Sequence, residues 1–174
     1  KITDNQNNST TQNKINFSDI DDFLNFTGNL DKIASYLGAN VSKKNFLTTN
    51  WNSFKNFYDG EKQWNVRDKV DAIQSYSTSF YRDSSFVLPY LRLANIYHHT
   101  QDDETAKKYI EIVIRSINKL TIPDSLRARA MWHILNSETP QAVKNYKQLI
   151  EFMPAQKESY FDLAEAYFRI CDIE

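Results

Sequence analysis

Along residues 49–172 the large apolar side chains recur three and four positions apart, with polar residues between them. That period puts one apolar stripe on each of a series of amphipathic helices. No stretch alternates apolar and polar residues in the way a half-buried strand requires. The pattern predicts helices over about 50–64, 67–81, 86–99, 103–120, 125–136, 140–153 and 156–172. Thr139-Pro140 reads as a cap followed by a first-turn proline, whose missing N–H is of no consequence there. Pro89 falls in a first turn as well, and Pro123 and Pro154 are expected just beyond helix ends.

The apolar pattern thins upstream. Residues 1–17 are expected to be a flexible polar linker, because KITDNQNNSTTQNK holds one large apolar residue and cannot bury enough surface to order itself. Residues 18–48 read as a short helical lead-in. Ser18 is a candidate cap, and Asp19, Asp21 and Asp22 fall in a first turn where the helix dipole favours acids. Leu30, Ile33, Ala34 and Leu37 share one face before Gly38, a suitable left-handed stop.

A second periodicity lies over the first. YLRLANIY at 90–97 is echoed by YFDLAEAY at 160–167, with Tyr, Leu, Ala and Tyr each repeated at an offset of 70. Gly60 to Ala94 and Ala72 to Ala106 are both 34 residues, and Ala106 to Ala142 is 36. A stack of similar helical hairpins explains such spacing. Two antiparallel helices approach closely where small residues meet, here Gly60 or Ala94 against Ala72 or Ala106. One hairpin cannot bury its apolar face alone, so neighbours must stack.

This spacing resembles the tetratricopeptide repeat (TPR), whose period is about 34 residues. Tyr90, Leu93, Ala94, Tyr97 and Ala106 match its pattern in the second unit, and Tyr160, Leu163, Ala164 and Tyr167 in the fourth. Gly60, Ala72 and Tyr76 serve the first unit, and Ala130, Ala142, Tyr146 and Pro154 the third. The resemblance implies an all-α helical hairpin solenoid over 49–174, about three and a half repeats long. Its units are about 50–84, 85–120, 125–154 and an incomplete 156–174. In the third unit, Arg129 and His133 replace the expected Leu and Tyr, so that unit's first helix is expected to be rotated or shortened.

LTTNWNSFKNFYDGEKQW, DAIQSYSTSFYRDSSFVLPYLRLANIY and the preceding DKIASYLGA resemble a narrower group. Its repeats lie C-terminal to the output domains of bacterial signalling proteins. These include ToxR-like membrane-anchored transcription activators, Ser/Thr kinases and adenylate cyclases. The resemblance implies a regulatory part of a larger protein, either extracytoplasmic behind a membrane anchor or cytoplasmic.

Composition narrows the classes further. The net charge is −1, which argues against nucleic acid as a partner, since binding a duplex calls for a basic surface that displaces counterions. No apolar run approaches the roughly 20 residues of a membrane span. Cys171 is the single cysteine, so neither an intrachain disulfide nor a cysteine-based zinc site can form. Only three glycines are present, and no phosphate-binding loop or nucleophile elbow appears. HHTQDDE at 98–104 has metal-ligating residue types, yet it falls at a turn where Asp102 or Asp103 serves as a helix cap. No cofactor is expected, and the chain reads as non-enzymatic.

In repeats of this kind the first helix of each pair lines a concave groove. By that register the groove receives Glu61, Trp64 and Asn65 from the first unit. Asn95, His98 and His99 come from the second, Arg127 and Met131 from the third, and Glu165 and Phe168 from the fourth. The expected partner is a protein or peptide. Asn95 matches the asparagine of those repeats that clamp a terminal carboxylate, but Leu91 stands where such a clamp has a cation. The rival reading is self-association into a homodimer through the incomplete fourth unit.

Overall fold

The computed structural model describes residues 48–171, with side chains from 48 to 168. The expected linker 1–17 and nearly all of the lead-in 18–48 lie outside the described residues. Seven α-helices follow in order among the described residues: α1 Trp51–Asn65, α2 Lys69–Arg82, α3 Leu88–His99, α4 Asp103–Arg115, α5 Ile122–Leu135, α6 Thr139–Phe152 and α7 Lys157–Cys171. α1 pairs with α2, α3 with α4 and α5 with α6. Each hairpin packs on the next, and α7 packs on α6. The architecture is the all-α hairpin solenoid expected from the spacing.

Local chemistry starts these helices. Asn50 Oδ1 accepts from the Ser53 amide at 3.0 Å, and Asp102 Oδ1 from the Thr105 amide at 3.0 Å. Asp68 and Thr121 cap α2 and α5 in the same way. Each bond satisfies an amide that the first helical turn leaves open. The Thr48 hydroxyl donates to Asp83, which ties the start of the array to the end of α2.

The three hairpin turns are built alike. Arg67, Gln101 and Ser137 have φ of 64°, 62° and 61°. They stand 34 and 36 residues apart, the spacing of the repeat itself. Each occupies the left-handed position that closes a helix, usually a glycine's place. A side chain is carried there at some cost in strain.

The core is divided among the seams between units. One cluster joins the first two units through Phe57, Ala72, Tyr76, Phe86, Leu93 and Ile96. A second joins units two and three through Tyr90, Leu91, Ile110, Val113, Ala128 and Met131. A third joins units three and four through Ala130, Ile134, Ala142, Tyr146, Leu149 and Ala166. Stability is therefore summed along the array from nearest-neighbour interfaces.

Several expectations are corrected. Helix 103–120 ends at Arg115; Ser116 turns out of the helix, and Ile117–Lys119 form a 3₁₀ turn that delivers Leu120 into the core at 5% exposure. The two additional residues of the 36-residue spacing fall between Ala106 and Ala130, in the stretch that holds this turn. Pro123 does not follow a helix. It lies in the first turn of α5, behind the Thr121 cap. Thr139 is the first residue of α6 and not its cap, which is Glu138. α5 is not shortened: it has 14 residues, turns Arg129 to solvent and packs Leu126 and Ile134 inward. His133 pairs with Glu138 at 2.6 Å. Gly60 lies against the Tyr76 ring, since a Cβ there would be 2.7 Å from Tyr76 Cδ1 and Cε1.

Candidate functional site: the concave groove

First helices supply nearly all of the inner face. α1 gives Glu61, Trp64 and Asn65, α3 gives Arg92, Asn95 and His99, and α5 gives Arg127. α7 gives Glu158, Phe161 and Asp162, with Gln156 just before it. Together they line a groove of about 400 Å³. A small side cavity adjoins it, where Asn95, His98 and His99 meet Met131, Glu165 and Tyr146. Helical geometry makes this face continuous, because equivalent positions on α1, α3, α5 and α7 point the same way.

Nine of the ten expected groove residues line these two spaces: Glu61, Trp64, Asn65, Asn95, His98, His99, Arg127, Met131 and Glu165. Phe168 does not. It stands 65% exposed on α7, where no further helix among the described residues walls it in. Trp64 has two roles. It lines the groove and also packs against the core cluster between units one and two. Replacing it with alanine therefore disturbs packing as well as the groove.

Five groove residues escaped the sequence reading: Arg92, Gln156, Glu158, Phe161 and Asp162. Arg92 Nε donates to Glu61 Oε1 at 2.7 Å, joining units one and two across the inner face. The same oxygen accepts from the Tyr76 hydroxyl at 2.7 Å. Burial, and then that carboxylate, hold the Tyr76 phenol far above its ordinary value. The signal in the sequence was the Glu61–Arg92 pair, 31 residues apart and so almost one repeat.

Arg127 is the most enclosed cation of the groove, at 8% exposure. Asp124 on its own helix lies 3.6 Å from Nη1, beyond good hydrogen-bond range. Asp162 faces it. Burial pushes the Asp162 carboxyl up to about 6, with Arg127 opposing that rise and Glu165 adding to it. Around neutral pH the Asp162 carboxylate and the Arg127 guanidinium thus stand in the groove with the amide of Asn95, beside the Glu61–Arg92 pair.

The histidines are accounted for by local contacts. His98 Nδ1 is 2.7 Å from Asp103, and Nε2 is 3.6 Å from Glu165. The His99 ring stands 6.4 Å from that of Phe161. Burial, reinforced by His98, holds the His99 imidazole below its ordinary value. Among the described residues no three His, Cys, Asp or Glu side chains are grouped to hold a metal ion. No described helix is long and apolar enough to cross a membrane.

Solved structures share this fold. The NMR structure of the first TPR domain of the human RPAP3 protein matches with a TM-score of 0.52 at 14% identity, covering 70% of this chain and 94% of that one. The first TPR of Spaghetti (RPAP3), bound to the HSP90 peptide SRMEEVD, matches with a TM-score of 0.51 at 14% identity, covering 69% and 96%. No family model matches the sequence, and no curated protein matches it. The architecture is that of a TPR-like helical repeat.

Proposed function

We propose that this chain is a non-enzymatic interaction module that holds a protein or peptide segment in its concave groove. We place it in the regulatory part of a bacterial signalling or transcription-regulatory protein. One observation carries the groove reading: Trp64, Asn95, Arg127, Phe161 and Asp162 converge from four successive units on one open space. Such a face offers aromatic anchors beside fixed polar groups, the composition in which a few residues supply most of the binding energy. The Spaghetti domain of the same fold holds its peptide SRMEEVD. The residue types here favour a different ligand. Leu91 is buried where a carboxylate clamp has its cation, and Glu158 and Asp162 add negative charge to the fourth unit's share of the groove. A segment with a basic side chain for Asp162 and an apolar one for Trp64 and Phe161 suits it best. The placement in bacterial signalling rests on the sequence resemblance of residues 30–174.

The test is selection from a displayed random-peptide library, run in parallel on the chain and on an Asn95→Ala, Asp162→Asn variant of equal helicity. Recovered peptides should be enriched in Lys and Arg and should bind the variant at least tenfold more weakly, a difference of about 1.4 kcal/mol. Peptides that bind both proteins equally would remove the groove from the reading.

A further inference from the structure

The groove and the small side cavity share Asn95, His99 and Asp162 in their walls. A ligand side chain that enters the cavity from the groove passes these three residues. The remaining wall is polar at His98 and Glu165 and apolar at Met131 and Ile134. The cavity measures about 10 Å³, about what one water-sized group requires. Size therefore selects the headgroup it can take. A lysine ammonium is a compact point charge on a slender stem, about as large as a water molecule. An arginine guanidinium is a rigid planar fork, several times larger.

Charge points the same way. Among the described residues none hydrogen-bonds to the Asp162 carboxylate or to the Asn95 side-chain amide, although both line the cavity. Burial pushes the Asp162 carboxyl up to about 6, so near neutral pH a partly buried carboxylate stands there without a donor. A cation placed against it offsets the desolvation that burial imposes. Glu165 brings a second carboxylate to the same wall. An ammonium has three N–H donors, and Asp162, Glu165 and the Asn95 Oδ1 supply three acceptors.

The opposing charges are few. Arg127 lines the groove but not the cavity, and Asp124 lies 3.6 Å from its Nη1. His99 is held below its ordinary value, so near neutral pH it is uncharged and repels nothing. His98 stands 2.7 Å from Asp103 and 3.6 Å from Glu165, so two acids oppose any charge it carries. Met131 and Ile134 limit competing water, which strengthens a charge contact made there.

We propose that the side cavity is a lysine subsite: a lysine of the bound segment passes Asn95, His99 and Asp162 and sets its ammonium against Asp162 and Glu165, where arginine is too large to follow. This rests on the groove reading above and narrows its basic side chain to one residue type at one position.

The experiment uses the tightest peptide selected on this chain from the displayed random library. Each of its lysines is changed in turn to arginine and to norleucine, which keeps a slender stem and removes the charge, and binding is measured by titration calorimetry. The expected result is one lysine at which both changes weaken binding at least tenfold. A Glu165→Gln chain, its helicity checked by circular dichroism, should bind the lysine peptide at least tenfold more weakly and the arginine peptide as before. A selected peptide without lysine, an arginine or norleucine peptide that binds as well as the lysine one at every position, or unchanged binding to Glu165→Gln would each overturn the subsite and leave the groove reading standing. Failure to select any peptide would remove the groove reading and the subsite with it. The peptide substitutions leave the chain unaltered, so their outcome does not depend on how Glu165→Gln folds.

Discussion

Arg92 on α3 and Glu61 on α1 meet at 2.7 Å, and the same carboxylate oxygen accepts the Tyr76 hydroxyl from α2. One acid thus fastens both helices of the first unit to the first helix of the second, on the wall of the groove. Replacing it leaves a half-buried guanidinium and a buried phenol without their acceptor, which costs more than the net worth of either bond. Glu61→Ala should lower stability by about 2 kcal/mol and Glu61→Gln by less, because an amide oxygen still accepts from Tyr76. Urea unfolding of the two variants checks the order.

Gly60 is held by the Tyr76 ring. Alanine in a helix interior ordinarily gains about 1 kcal/mol over glycine. Here its Cβ would meet ring atoms at 2.7 Å, and Tyr76 is 0% exposed and tied to Glu61, so the ring cannot retreat. Overpacking of this kind costs ~1–3 kcal/mol. Gly60→Ala should therefore destabilise the chain, by roughly 1 kcal/mol net. A higher melting temperature in this variant would show that the ring yields.

The left-handed turn residues are expected to respond in the opposite direction. Gln101 and Ser137 hold φ near 60° with a side chain in place, which costs about 1–2 kcal/mol relative to glycine. Part of that gain is offset by glycine's freedom in the unfolded chain. Gln101→Gly and Ser137→Gly should each raise stability by ~0.5 kcal/mol and, lying in separate turns, add together. Denaturant midpoints of the single and double variants test both statements.

Asp162 makes the groove sensitive to pH. Its folded pKa of about 6 lies above the ~3.9 of an unfolded aspartate. The folded state therefore binds the proton more tightly, and this group's contribution to stability grows as pH falls from 7 through 6 toward 4. The gain is up to ~2 kcal/mol and should vanish in Asp162→Asn, which is expected to be the more stable protein at pH 7. Binding of a cationic peptide should move the other way, weakening as the carboxylate is protonated below pH 6. Unfolding curves and peptide titrations at pH 5 and 7 separate the two effects.

Much of the fold was legible in the sequence because TPR-like packing writes itself in small residues. Ala72, Ala94, Ala106 and Ala142 are all 0% exposed, where hairpins close up. The turns left no such mark, since Arg67, Gln101 and Ser137 hold a conformation that a reader seeks in glycine. The apolar run from Ala106 to Leu120 reads as one helix, because nothing local shows Ser116 breaking it; the core's demand for Leu120 is tertiary. In the groove, the register found the positions next to each small residue and a turn beyond it. Arg92, Phe161 and Asp162 lie on the other side of that small residue. They reach the groove because they stand three or four residues before Asn95 and Glu165 and so share the same helix face, a turn that the register counted only in the other direction. Phe168 failed for the converse reason, its wall depending on a helix that the described residues do not supply.

The most direct measurement is a chemical-shift titration of ¹⁵N-labelled chain with the tightest library-selected peptide. Shifts concentrated at Asn65, Asn95, His99, Arg127 and Asp162, and lost in the Asn95→Ala, Asp162→Asn variant, are the expected result. Shifts confined to the outer helices α2, α4 and α6, with the groove residues unmoved, would contradict it.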